Sequence, residues 1–191
     1  MPMSVCSPGR RGGAGGCHSR HVTTVRPATS IDAPQVGEVH AEAWRVAYRE
    51  LFEEEFLRTA VEARRQMWTE NWGAFECDDS ILLVADYDGR VVGFLHCGWA
   101  QEASSEQEVY GFYVHPTFWG QGIAPLVMSE ALEQLRDRSE GQVSLWTPRG
   151  AIRARRFYEK TGWTASGRSR LHDFGDGAPS PLTQYVRETD R

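Results

Sequence analysis

The run YVHPTFWGQGIAPL, Tyr113 to Leu126, places two glycines, Gly120 and Gly122, where an apolar strand gives way to a helical pattern. A helix start presents about four unpaired N–H groups and roughly half a positive charge. Glycines just ahead of it remove the Cβ atoms that would hold a ligand off. The junction therefore has the makings of an anion site, most simply for a phosphate or pyrophosphate. A tight turn alone would also call for glycine, and glycines by themselves do not separate the two readings. Two nucleotide signatures are excluded. A phosphate loop of the Gly-Lys-Ser/Thr type needs a lysine at the turn, and Lys160 is the only lysine in the chain. The dinucleotide fingerprint needs a third glycine at position 125, where Pro125 stands. A proline suits the first helical turn and sets the helix start near Gly122.

The elements that must position this turn follow from periodicity. VTTVRPA reads as a first strand, and Asp32 and Pro34 start a helix to about Tyr48 with Val36, Val39, Ala43, Val46 and Ala47 on one face. A second helical region runs from about Glu54 to Trp72, with a break expected near Thr59. Residues 80–99 form a hairpin through Asp88-Gly89, a dipeptide that tolerates the positive φ angles of a type I′ turn. QEASSEQ reads as a polar loop, and EVYGFYV as the strand that ends at His115-Pro116. A helix then runs from Gly122 to about Arg138 with Ala124, Val127, Ala131 and Leu135 as its stripe. QVSLWT is a strand and AIRARRFYEK a helix closed by Gly162. Two strands near 163–170 and 181–187 finish the chain. The order β-α-α-β-β-β-α-β-α-β-β mixes hairpins with crossover helices, so the sheet is mixed with helices on its faces.

Composition bounds the partners. The 191 residues are 40% hydrophobic and 25% charged, as in an ordinary globular domain. Residues 1–21, glycine-rich and basic through Arg10, Arg11 and Arg20, are expected to be a disordered extension, and residues 22–191 one domain. Without that extension the chain carries 18 basic against 26 acidic residues. An acidic body argues against nucleic acid and suits an amine-bearing partner. No apolar run is long enough for a membrane span. Cys6, Cys17, Cys77 and Cys97 form no CxxC pair, so a reducing cytoplasm is expected, and the irregular Cys6, Cys17, His18, His21 spacing is not read as a metal site.

VYGFYV, HPTFWGQGIAPLVMSEAL, VSLWT and ARRFYEKTGW, in that order, resemble the GNAT superfamily of acetyl-CoA-dependent N-acetyltransferases. The family pattern Q/R-x-x-G-x-G/A falls on Trp119 through Ala124, and F-Y-E-K-x-G-F/W on Phe157 through Trp163. The helix HAEAWRVAYRELF is similar to bacterial members with W-R-x-x-Y-R there, and the match spans residues 22–190 in element order. The resemblance implies an α/β (α+β) fold with a mixed, mostly antiparallel central sheet and helices on both faces. It implies direct transfer of the acetyl group of acetyl-CoA to a primary amine of a small molecule or peptide, with no metal, and dimers are common in the family. A non-catalytic acyl-CoA-binding regulatory or interaction module is the alternative.

Position by position, the resemblance implies that the backbone of Trp119, Gly120, Gln121, Gly122, Ile123 and Ala124 cradles the pyrophosphate. The strand at Tyr113 and Val114 would splay from SLW to admit the pantetheine arm, with Val114 N–H beside the thioester oxygen. Tyr158 would protonate the departing thiolate, and Arg153 and Arg156 would contact the 3′-phosphate or adenine end. Two departures stand out: Trp119 occupies the usual Gln/Arg place, and Ala151 a place where Asn is common. For the acceptor, Glu108 is the candidate base, with His115 and His172 behind it. Strict alternation would put Glu108, Tyr110, Phe112 and Val114 on one face, although the family usually carries a bulge there. Trp44 and Tyr48, at i and i+4, would wall the acceptor pocket with Trp99. Cys77 and Cys97 have no evident base partner, which leaves a covalent route without support.

Overall fold

The computed structural model describes residues 22–75, 80–100, 103–138 and 141–189. The extension 1–21, with Cys6 and Cys17, and the residue Cys77 lie outside them. The expected order of elements is observed. Strand β1 is Thr23–Pro27, helices α1 and α2 are Ala33–Ala47 and Glu54–Glu70, and a single turn, α3, follows at Trp72–Phe75. The hairpin is β2, Ile81–Tyr87, and β3, Arg90–Ala100, and its turn has the positive φ of 52° at Asp88 and 82° at Gly89. Then come β4 (Ala103–Val114), α4 (Ile123–Arg138), β5 (Gly141–Pro148), α5 (Ile152–Lys160), β6 (Thr164–His172) and β7 (Ser180–Thr189).

Three expectations change. The helix α2 is continuous through Thr59, whose hydroxyl donates to the Glu55 carbonyl inside the helix, and the break falls at Asn71 instead. The stretch read as a polar loop is strand from Ala103 onward, because pairing with β3 reaches back to Ala100↔Ala103. At the start of α1, Asp32 accepts from Thr29 and from Arg26 rather than capping the helix with its carboxylate. Arg26 also reaches Asp86, so one guanidinium ties β1 to β2 and to the start of α1.

The seven strands form one sheet in the order β1-β2-β3-β4-β5-β7-β6, antiparallel throughout except for β4 beside β5. That parallel pair is the expected place for a helical crossover, which α4 supplies. On one face α4 buries Ile123, Val127, Met128, Ala131 and Leu135 against β2, β3 and β5. On the other, α1 and α2 close over β3 and β4 through Val36, Val39, Trp68 and Phe94, with a neighbouring cluster of Trp44, Tyr48, Leu57 and Ala60.

Two histidines sit in this second layer. His40 accepts from Trp68 Nε1 at 3.0 Å, and burial pushes its pKa down to about 3. His96 lies against Trp68, Phe75 and Tyr110, its Nε2 buried without a hydrogen-bond partner among the described residues, and burial lowers its pKa to about 4. Unfolded histidine takes its proton near pH 6.5, whereas these two stay neutral in the native state well below that. Stability should therefore be complete above pH 6.5 and fall as pH is lowered toward 4. A His96→Leu chain should lose less stability over that interval, the His96 share being of order 3 kcal/mol, and should be no less stable at pH 7.5. Chemical denaturation at stepped pH reads both quantities; an unchanged slope would remove His96 as the cause.

Candidate active site

The pairing of β4 with β5 is short. It covers Gln107↔Val143, Glu108↔Ser144 and Val109↔Leu145 and then stops, while β3 stays paired with β4 up to Gly93↔Val114 and β7 with β5 up to Pro148↔Leu182. The two halves of the sheet diverge into a V. Within β4 the register against β3 shifts, His96 facing Gly111 and Cys97 facing Val109, so Tyr110 is an extra, bulged residue. Its hydroxyl donates to the Trp99 carbonyl.

The bulge decides which side chains share a face. Strict alternation would put Glu108 with Phe112 and Val114. The inserted residue instead puts Val109, Phe112 and Val114 together on the α4 side. Glu108 stands on the α1 side, its cross-strand partner being Ser144. Main-chain directions follow as well. His115 N–H donates to the Val92 carbonyl at 2.8 Å, which makes Gly93↔Val114 a non-hydrogen-bonded pair. The N–H and C=O of Val114, and by the same alternation those of Phe112, point away from β3 into the V. Those of Tyr113 are engaged with β3, and its ring turns toward α1, where its hydroxyl accepts from Trp44 Nε1 at 3.2 Å.

At the mouth of the V lies the glycine turn. Gly120 has φ 79° and Gly122 φ 82°, so both need the left-handed region, and a Cβ added to either would meet nothing within 4 Å. The space in front of them is open. Among the described residues, none of the main-chain N–H groups from Gly120 to Ala124 donates to a protein acceptor. Trp119 turns its indole inward, and its Nε1 donates to the Val114 carbonyl at 2.7 Å. On the ring of Trp119 rests Arg153 of α5, its guanidinium carbon 4.2 Å from the centroid.

These features border one cleft of about 740 Å³, lined from β4 by Glu108 to Val114, from the turn by Trp119, Gly120, Gly122, Ile123 and Ala124, and from α5 by Arg153, Arg156, Tyr158 and Lys160. Tyr48 lines it from α1. Of the other expected residues, Gln121 turns outward to the Thr117 carbonyl. Trp44, 2% exposed, stands one layer behind the cleft. Trp99 and His115 do not line it; His115 accepts from Thr117 N–H and turns the chain.

Tyr158 is buried beside Trp163 and Tyr185. Burial, and then the neighbouring Tyr113 phenol, hold its hydroxyl firmly protonated. Tyr48 is held protonated in the same way, by burial first. Cys97 is buried under α4, and burial pushes its thiol up to about 12, so it is no nucleophile at neutral pH. Among the described residues no cluster of side chains suited to a metal ion occurs, and no helix is long and apolar enough to cross a membrane.

Several lining residues escaped the sequence reading: Phe112, Trp146, Arg170 and Phe174. So did Arg64, behind the cleft, whose guanidinium lies 3.1 Å from the centroid of the Trp44 ring and whose charge faces the phenols of Tyr48 and Tyr113. Only the alternation SLW, with Leu145 inward, carried a hint of Trp146. The rest depend on where β6 and α2 come to lie.

Comparison with known proteins gives a family match and related folds. The model of the acetyltransferase (GNAT) family matches residues 41–163. An uncharacterized N-acetyltransferase of Archaeoglobus fulgidus is 38% identical over 85 residues, covering 42% of this chain and 58% of its own length. One of Methanocaldococcus jannaschii is 26% identical over 147 residues, covering 73% and 60%. The chain thus spans somewhat under two thirds of the length of these relatives. The PaiA N-acetyltransferase of Thermoplasma acidophilum, solved in complex with coenzyme A, superposes with a TM-score of 0.70 at 18% identity, over 87% of this chain and 99% of that one. The ribosomal-protein-S18-alanine N-acetyltransferase of Escherichia coli gives 0.65 at 12% identity, over 89% and 96%. Those two likenesses speak to the fold. The matched family model covers well over half of the sequence, and on that ground the chain belongs to the GNAT family of acetyltransferases.

Proposed function

We propose that the protein transfers the acetyl group of acetyl-CoA directly to a primary amine, both substrates being bound together. The observation that carries this is the row of unused main-chain N–H groups from Gly120 to Ala124, opening onto a cleft into which Phe112 and Val114 also direct their main-chain groups. The acyl carrier suits these residues. A diphosphate takes several N–H donors at a helix start, an amide-bearing arm hydrogen-bonds along an unpaired strand edge, and Arg153, Arg156 and Lys160 give the α5 rim a positive charge for further phosphate.

Gly122, strained for any side chain, is the most direct test of the cradle. A Gly122→Glu chain adds an anion where an anion should sit, and acetyl-CoA affinity by calorimetry should fall by at least tenfold. A Gly122→Ala chain, which adds only the φ penalty, should fall less. Affinity in Gly122→Glu equal to that of the parent would end the proposal. Arg153→Ala should weaken acetyl-CoA binding several-fold and flatten its dependence on salt, since one phosphate-facing charge is lost; an unaltered salt dependence would leave Arg153 outside the site.

In the transfer the amine nitrogen bonds to the acyl carbon, the carbon–sulfur bond breaks, and the sulfur takes a proton while the amine loses one. Val114 N–H is the donor for the acyl oxygen, a contribution of about 3 kcal/mol for such donors. Tyr158 supplies the proton to sulfur. Its protonated state is held by burial, and the phenol gives up that proton only as negative charge develops on the departing sulfur. Glu108, on the opposite face of β4 from Val114, receives the amine's proton directly or through water. Tyr158→Phe should lower kcat by about a hundredfold or more with acetyl-CoA affinity nearly unchanged. Turnover like that of the parent would strip Tyr158 of this role. Acetyl-CoA binding without thiol release on any amine would instead mark a non-catalytic acyl-CoA-binding module. The acceptor class is left to an acetyl-CoA consumption screen, and a homodimer to a mass measurement in solution.

A further inference from the structure

Cross-strand pairs share a face of the sheet, so the register defines what surrounds Glu108. Its partner Ser144 alternates to Trp146, which pairs with Gln184. Two residues away from Gln184, Leu182 pairs with both Pro148 of β5 and Arg170 of β6. Glu108, Trp146, Leu182 and Arg170 therefore stand on one face, the one opposite Val114, and all four line the cleft. His172, two residues beyond Arg170 in a regular stretch of the ladder, lines it too.

Arg170 reaches back across β7 and lays its guanidinium over the Trp146 ring, its carbon 4.4 Å from the centroid, while Arg168 follows at 6.0 Å. Stacking engages the face of a guanidinium; hydrogen bonds form along its edge, in a fork that matches a carboxylate or phosphate. Beside it, His172 meets Phe174 at 4.5 Å, and Phe174 packs on Trp44 and Phe52, so the aromatic layer under α1 closes this end of the cleft. A cation in such surroundings interacts with an anion more strongly than it would in water. Trp146 is one strand over and two residues along from Glu108, about 8 Å between the two backbone positions.

We propose that Arg170, laid on Trp146 with His172 beside it, receives an anionic group of the acceptor. The acceptor is then a small zwitterion, with an amine at the Glu108 end and a carboxylate or phosphate a short chain away. The proposal rests on the acetyl-transfer reading above. It sets the acceptor apart from polyamines, which would bring a second cation against Arg170.

The test uses two matched pairs, 4-aminobutyrate with its amide and phosphoethanolamine with ethanolamine, and putrescine as the dication. Each is titrated calorimetrically into the full chain saturated with CoA, and each is assayed with acetyl-CoA for thiol release. The member of at least one pair that carries the carboxylate or phosphate should bind about tenfold or more tightly than its partner without that anion, the pair that does so telling carboxylate from phosphate. Putrescine should bind no better than the two monocationic amines. Arg170→Gln should bring the two members of the pair together while leaving CoA affinity unchanged, and Arg170→Lys should keep part of the difference. Equal binding within both pairs, binding by none of the five compounds, or a preference that survives Arg170→Gln overturns the proposal. Anion-preferring binding without thiol release leaves the subsite standing and removes the acetyl-transfer reading.

Discussion

A parallel strand pair that stops after Val109↔Leu145 leaves main-chain groups with nothing to bond, and the rest of the site is arranged around that break. Dry backbone N–H and C=O groups are costly, so the edge must meet water or a ligand. Each strand of the V is anchored on its outer side, β4 by β3 and β5 by β7, which keeps the gap from closing on itself. The bulge at Tyr110 turns the same strand so that its two faces do different work. Val114 looks into the α4 layer and the cleft, and Glu108 looks toward the α1 layer. An acyl group and an amine can thus approach one strand from opposite sides.

Charge is distributed along the cleft in the same sense. The body of the chain is acidic, yet the α5 rim carries Arg153, Arg156 and Lys160 close to the start of α4. Trp119 stands where the family pattern has Gln or Arg, and its side chain turns to other work. Its indole N–H satisfies the Val114 carbonyl, one of the groups exposed by the break, and its ring supports Arg153. Ala151, in the place where Asn is common, is buried at the start of α5 and packs with the Trp44 cluster, so that position contributes apolar contact instead of an amide. Behind the cleft, Trp44 fixes the Tyr113 hydroxyl while Arg64 lies over the Trp44 ring, a second layer that holds the phenols in place.

What the sequence by itself determined was local. Gly120, Gly122 and Pro125 marked the strand-to-helix turn because backbone conformation at positive φ and at a helix start depends on residue type. The 3.6 and 2.0 periodicities located nearly every element for the same reason, and Asp88-Gly89 named its own turn. The helix α2 ran through Thr59 because its apolar face, Leu57, Ala60, Val61 and Trp68, is fixed by packing against α1 rather than by local preference. Only the tertiary structure decided the rest. Where the β4–β5 ladder ends depends on the register of two strands separated by α4, and a one-residue bulge reverses every side chain beyond it. Trp44 and Trp99 are aromatic at suggestive places, but burial placed the first behind the cleft, and the second does not line it. Arg170 reaches the cleft from a strand two positions away in the sheet, across β7, and such meetings are made by strand order, which local patterns do not encode.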